Sequence, residues 1–94
     1  MSIKEYYNGT SVLERRNDDP PEDGMFSYDE PVTIGRFRRQ RTQIVYNGLS
    51  ERVSSNATYA SDEPMREGDL IDGIEIVKVD APHGGETKYW RAYV

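Results

Sequence analysis

The 94-residue sequence predicts a mainly β fold, a small antiparallel β-barrel of five or six short strands preceded by an extended acidic N-terminal arm. Three observations carry that expectation. From Pro31 onward, segments rich in Val, Ile, Thr and Tyr alternate apolar and polar residues with a period of two, the spacing of a strand with one buried face. Asn47-Gly48 and Asp72-Gly73 punctuate those segments with turn-forming pairs. Short strands joined by hairpins avoid exposed edges most simply by curling and closing.

A chain of this length holds one core, because a second would leave neither half enough apolar surface to fold. That core is thin: Leu, Ile, Val and Phe together number 18 of the 94 residues, although seven Tyr and one Trp add large buried areas. A domain with so little apolar surface gains from assembly with other subunits. There is no Cys, so disulfides, thiolate nucleophiles and Cys-ligated metal are all excluded. No run approaches the ~18 apolar residues of a membrane span, so no membrane contact is expected.

The elements follow in order. Residues 1–30 read as an arm, partly disordered when alone, because Asn17-Asp18-Asp19-Pro20-Pro21-Glu22-Asp23-Gly24 has no apolar period and adjacent prolines exclude helix. Within it, Ser11-Val12-Leu13-Glu14 has the spacing of a capping box and suggests one helical turn. Met25, Phe26 and Tyr28 are the apolar anchor by which such an arm would dock on a partner. The domain proper spans residues 31–94. Val32 to Phe37 is its first strand, and Arg39 to Tyr46 either continues it across Gly35 or follows a break. Asn47-Gly48 supplies the two positive-φ residues of a type I′ turn, and the strand from Glu51 to Tyr59 returns with Val53, Ser55, Ala57 and Tyr59 on one face. Leu70-Ile71 is a short strand that stops at Asp72-Gly73. Ile74 to Asp80 is apolar on both faces and therefore expected to be central. The last strand ends at Val94, with Trp90, Ala92 and Val94 on one face and Tyr89, Arg91 and Tyr93 on the other.

The net charge of −5 is segregated: −5 over residues 1–30, +4 over 31–55 and −4 over 56–94. The basic strip is Arg36-Phe37-Arg38-Arg39-Gln40-Arg41. It has the composition of a nucleic-acid patch, yet on a strand Arg36 and Arg38 share one face and Arg39 and Arg41 the other, so no flat surface receives all four charges. Pairing of Arg36, Arg38, Arg39 and Arg41 with acidic groups of a neighbouring subunit or adaptor fits the layout better than binding duplex DNA. The carboxylates of Asp62, Glu63, Glu67, Asp69 and Asp72 lack the spacing of a calcium loop and read as a solvated acidic edge. The single His83 lies in a Pro-Gly-Gly loop, with no second His or Cys to complete a nucleophile or a metal site. No catalytic residue, metal or cofactor is therefore expected, and the chain is read as a non-enzyme.

The order of elements in residues 39–94 resembles the head-closure proteins of tailed bacteriophages, also called head-tail connector or stopper proteins. The segments that carry the likeness are Ile44 to Gly48, Val53 to Tyr59, Gly68-Asp69, Asp72-Gly73, Ile74 to Val79 and Tyr89 to Val94. The resemblance implies a structural virion protein, made in the host cytoplasm and placed in the neck between head and tail. There a ring of subunits, monomeric before assembly, would sit under the portal or adaptor, close the DNA-filled head and dock tail-side proteins. Packaged DNA would pass through it without sequence-specific binding, and the acidic residues Asp62, Glu63, Glu67 and Asp69 would face the channel. The alternative is a small acidic inhibitor or adaptor that binds a basic host protein.

Overall fold

In the computed structural model the described residues are 3–17, 24–82 and 88–94. After a single 3-10 turn at Ile3–Tyr6, the strands are β1 (Gly9–Glu14), β2 (Val32–Tyr46), β3 (Arg52–Ser61), β4 (Leu70–Ile71), β5 (Ile74–Glu75), β6 (Lys78–Asp80) and β7 (Trp90–Tyr93). They form one antiparallel sheet in the order β5-β4-β1-β2-β3-β7-β6.

The long strand β2 organises it. Its first part pairs with β1, from Leu13 opposite Val32 to Gly9 opposite Arg36, and its second part pairs with β3, from Phe37 opposite Ala60 to Tyr46 opposite Arg52. Val32 to Tyr46 is thus one continuous strand that changes partner between Arg36 and Phe37. An extra residue lies in β2 between Gln40 and Gln43. This bulge turns Val45 back toward the side of Ala57 and Tyr59, because directly opposed residues share a face. The core gathers Leu13, Ile34, Tyr59, Met65, Ile71 and Ile76 with Ala57, Ala92 and Val94, and Trp90 and Val79 pack against it. The alternations expected in β3 and in the last strand are those observed.

The sheet does not close into the expected barrel. Its first and last strands, β5 and β6, are not paired with each other; they are the two ends of one segment, Ile74–Asp80. Its start pairs with β4 and its end with β7. Between them Ile76 N donates to Asp69 O at 2.9 Å and Val77 N to Tyr93 O at 2.8 Å, so the join is covalent rather than a ladder. This also corrects the expectation of a central strand. The segment is apolar on both faces because it crosses from one half of the sheet to the other, and Ile76 alone is deeply buried.

Residues 9–14, assigned to the arm by their sequence, lie between β2 and β4, with Leu13 fully buried. Ser11–Glu14 is extended and not the helical turn its spacing suggests: two long-range ladders outweigh one capping box. Beyond β1 the chain continues as a ribbon, with Arg16 bridging Tyr28 and Asn17 N donating to Ser27 O at 3.0 Å.

The type I′ turn is at Asp72-Gly73, with φ of 51° and 78° between paired Ile71 and Ile74, and not at Asn47-Gly48. Asn47 instead accepts from Leu49 N at 3.0 Å and Glu51 N at 2.9 Å through its side chain, which lengthens the loop. The left-handed residue there is Ser50, at φ 60°. Ser50→Val is therefore expected to cost about 1–3 kcal/mol and Ser50→Gly nothing measurable in urea unfolding, since a β-branched residue is strained at positive φ.

Candidate functional site

The two faces of β2 divide the basic strip as its alternation predicts. Arg36 and Arg38 turn to the side of Tyr59, their guanidinium groups 5.8 Å and 5.5 Å from the centre of its ring. Arg36 Nε donates to Ser11 Oγ at 2.8 Å, Ser11 Oγ donates to Asp72 Oδ2 at 2.7 Å, and Val12 N donates to Asp72 Oδ1 at 2.9 Å. Arg38 Nε donates to the Tyr59 hydroxyl at 3.1 Å, and its Nη2 donates to Gln40 Oε1 at 2.8 Å. These two arginines are tied into the chain's own polar network, which joins β1, β2, β3 and the Asp72 turn.

A second network fixes the start of the chain. The Tyr7 ring lies over Gly35, where a Cβ would come within 2.6 Å of it, so only glycine fits beneath. Its hydroxyl donates to Asp62 Oδ1 at 2.7 Å and accepts from Asp62 N at 2.9 Å, and Lys4 Nζ is 3.4 Å from the same carboxylate. The Tyr7 hydrogen bond, aided by Lys4, holds the Asp62 carboxyl below its ordinary value. At Asp72 burial works to raise the pKa, but the bonds from Ser11 and Val12 N and the Arg36 charge outweigh it, and the net shift is also downward. Carboxylates depressed in the folded state contribute stability above their unfolded pKa of ~3.9 and lose it as the pH falls through the folded value. The urea midpoint is expected to be level above about pH 5 and to fall below about pH 4, with a weaker fall in Asp62→Asn plus Asp72→Asn.

The four acidic residues expected to face a channel do not form one exposed surface. Asp62 holds Tyr7. Glu63 lies 3.6 Å from Arg15, and Glu67 Oε1 accepts Gly48 N at 2.7 Å. Asp69 is 1% exposed, its carboxylate accepting Arg16 N at 2.9 Å and Arg66 N at 3.0 Å. It is a structural group inside the fold and cannot line a channel. The expected anchor does stand outward: Met25 is 74% and Phe26 49% exposed, with the Arg16 guanidinium 4.5 Å from the Phe26 ring, while Tyr28 is half-buried.

The other face of β2 builds a groove. Cross-strand register sets Phe37 beside Ala60 and Arg91, and Arg39 beside Thr58 and Tyr93, so three strands bring their outward side chains together. With Arg41, Gln43, Tyr89, Ile3 and Tyr6 these residues line a cleft of about 370 Å³ with, among the described residues, no acidic side chain in its wall. Tyr93 donates to Asp80 Oδ2 at 2.8 Å; burial and that acceptor raise its pKa, so the hydroxyl stays protonated. Arg91 Nη2 donates to the Tyr89 hydroxyl at 3.2 Å and lies 5.7 Å from the ring centre. Arg39 and Arg41 are exposed and, among the described residues, have neither a hydrogen bond nor an ion pair. Cationic side chains beside aromatic rings can accept an anionic group through charge-assisted hydrogen bonds.

Among the described residues no group of three or more His, Asp or Glu side chains is placed to hold a metal ion, and no helix is long and apolar enough to cross a membrane. His83 lies outside the described residues. Comparison with family models, curated proteins and solved structures finds no match. Sequence reasoning separates Arg39 and Arg41 from Arg36 and Arg38 but misses Arg91, Tyr89 and Tyr6 as their companions. The outward Tyr89-Arg91-Tyr93 alternation was the available signal for the first two; Tyr6 has none, since the 3-10 turn reaches the groove only through the fold.

Proposed function

We propose that the chain is a non-enzymatic assembly subunit, a structural virion protein of a phage head-tail connector that closes the DNA-filled head and offers a docking ring to the tail. It meets its neighbour, another subunit or the adaptor, through the outward face of β2, β3 and β7. The observation that carries this reading is that Arg39 and Arg41 stand unpartnered, among the described residues, in a cleft with aromatic walls and no acid. The resemblance in residues 39–94 supplies the place of assembly, and the thin core supports a chain that gains from partners. Arg36 and Arg38, engaged with Ser11, Asn8 and Tyr59, are not part of that interface.

The two pairs of arginines give the test. A desolvated interfacial Arg–carboxylate pair loses about 2–5 kcal/mol when truncated, whereas a solvated one loses ~0–1 kcal/mol. Arg39→Ala plus Arg41→Ala is expected to leave the urea midpoint unchanged and to stop closure of filled heads, read as retained DNA and accepted tails. Arg36→Ala plus Arg38→Ala is expected to lower the midpoint. Heads closed at the wild-type level by the Arg39/Arg41 variant would refute the interface.

A further inference from the structure

The groove has a composition that narrows its occupant. It offers three guanidinium groups, Arg39, Arg41 and Arg91, against the rings of Tyr6, Phe37 and Tyr89, with Tyr6 54% and Phe37 37% exposed. An occupant must be anionic, extended enough to lie along three strands, and carry flat or ring-shaped apolar groups between its charges. One sequence in this chain has that pattern: Asp18-Asp19-Pro20-Pro21-Glu22-Asp23, four carboxylates flanking two prolines, which lies outside the described residues. Adjacent prolines favour the extended polyproline form, whose rings dock in aromatic-lined grooves without a large ordering cost. Carboxylates on either side would meet the guanidinium groups.

We infer that the Arg39–Arg41–Arg91 groove of one copy receives the acidic di-proline segment, residues 18–23, of a second copy. This rests on the reading that the outward face of β2, β3 and β7 is the assembly surface, and it names the partner. Within one copy the segment leaves from the far end of the β1–β2 ribbon, where Asn17 bonds Ser27, while the groove lies past the point where β2 changes partner, on the half of the strand that pairs with β3 and not with β1. A segment and a groove are unlike surfaces, so the contact is heterologous and repeats from copy to copy, as a ring requires. Single-stranded nucleic acid also carries anions and rings. The net charge of −5 repels a long polyanion, whereas a six-residue segment meets only the local cations.

The test is fluorescence anisotropy of a labelled peptide of residues 17–24 titrated with the full chain, alongside sedimentation velocity of the chain itself. Saturable peptide binding is expected, weakened at least about ten-fold by Arg39→Ala plus Arg41→Ala and by replacing the four carboxylates of the peptide with amides. Association of the full chain should rise with concentration and be lost in D18N/D19N/E22Q/D23N. Peptide binding that ignores the arginine substitutions would overturn the inference, as would displacement by oligothymidylate at lower concentrations than by unlabelled peptide. A wild-type chain that stays monomeric while the amide variant binds the peptide about ten-fold more tightly would show the groove filled by its own segment, and would overturn it too. If the peptide fails to bind but the Arg39/Arg41 variant still fails to close heads, the inference falls and the proposed assembly face stands.

Discussion

Leu13→Ala should destabilise the chain by about 2–5 kcal/mol, the range for truncating a fully buried leucine. Leu13 has no exposed surface, sits opposite Val32 on one side and Ile71 on the other, and belongs to the cluster with Tyr59, Met65 and Ile76. Its loss would leave a void between two ladders that neither neighbouring strand can fill, because both are held in register by backbone hydrogen bonds. For a domain of this size such a loss lowers Tm by about 4–8 °C per kcal/mol. Val12→Ala is the internal control: Val12 is 39% exposed on the opposite face and should cost far less. Urea unfolding of both variants, with unchanged slope, checks this. A negligible effect of Leu13→Ala would mean that residues 9–14 are held loosely, as an arm would be.

Asp69→Ala is the second large effect, expected at about 3–5 kcal/mol. The carboxylate is almost wholly buried and accepts two backbone donors from separate parts of the chain, Arg16 N and Arg66 N. Hydrogen bonds to a charged group contribute about 1.5–3 kcal/mol each, and leaving a buried donor unmade costs a comparable amount. Asp69 also joins distant parts of the chain. Its own carbonyl accepts Ile76 N at 2.9 Å, and its N–H donates to Arg66 O at 3.2 Å. Asp69→Asn keeps one acceptor oxygen and should fall between wild type and Asp69→Ala. Thermal unfolding followed by far-ultraviolet circular dichroism gives the order. Equal stability of all three proteins would show that the carboxylate does not hold these elements together.

The local periodicities of the sequence translate directly into structure. Val53, Ser55, Ala57 and Tyr59 face one way, as do Trp90, Ala92 and Val94, because a strand's two faces are fixed by position alone. The division of the arginine strip follows for the same reason. What depends on distant partners was not legible. Ser11-Val12-Leu13-Glu14 is too short to declare a period, and its extended form comes from β2 and β4 on either side. The Asn47-Gly48 pair has the chemistry of a two-residue turn, but the Asn47 side chain captures two later amides and Glu67 takes Gly48 N. Arg91 joins Arg39 only through the registers of β3 with β2 and β7. Asp69 reads as surface acid because no sequence pattern announces the two amides it caps.

The segment Ile74–Asp80 supplies both edges of the sheet, and this places an unusual condition on it. Every residue in it except Ile76 is at least partly exposed. Most of its side chains are therefore free to vary without touching the core. Its length is not free. One residue more or fewer between Glu75 and Lys78 would throw either the pairing with β4 or the pairing with β7 out of step, and would turn its side chains to the wrong face. An added residue would have to be absorbed by the Ile76–Val77 step, whose two amides are already committed to Asp69 and Tyr93. Related chains that keep this architecture would thus tolerate many substitutions across these seven positions and no insertion or deletion among them.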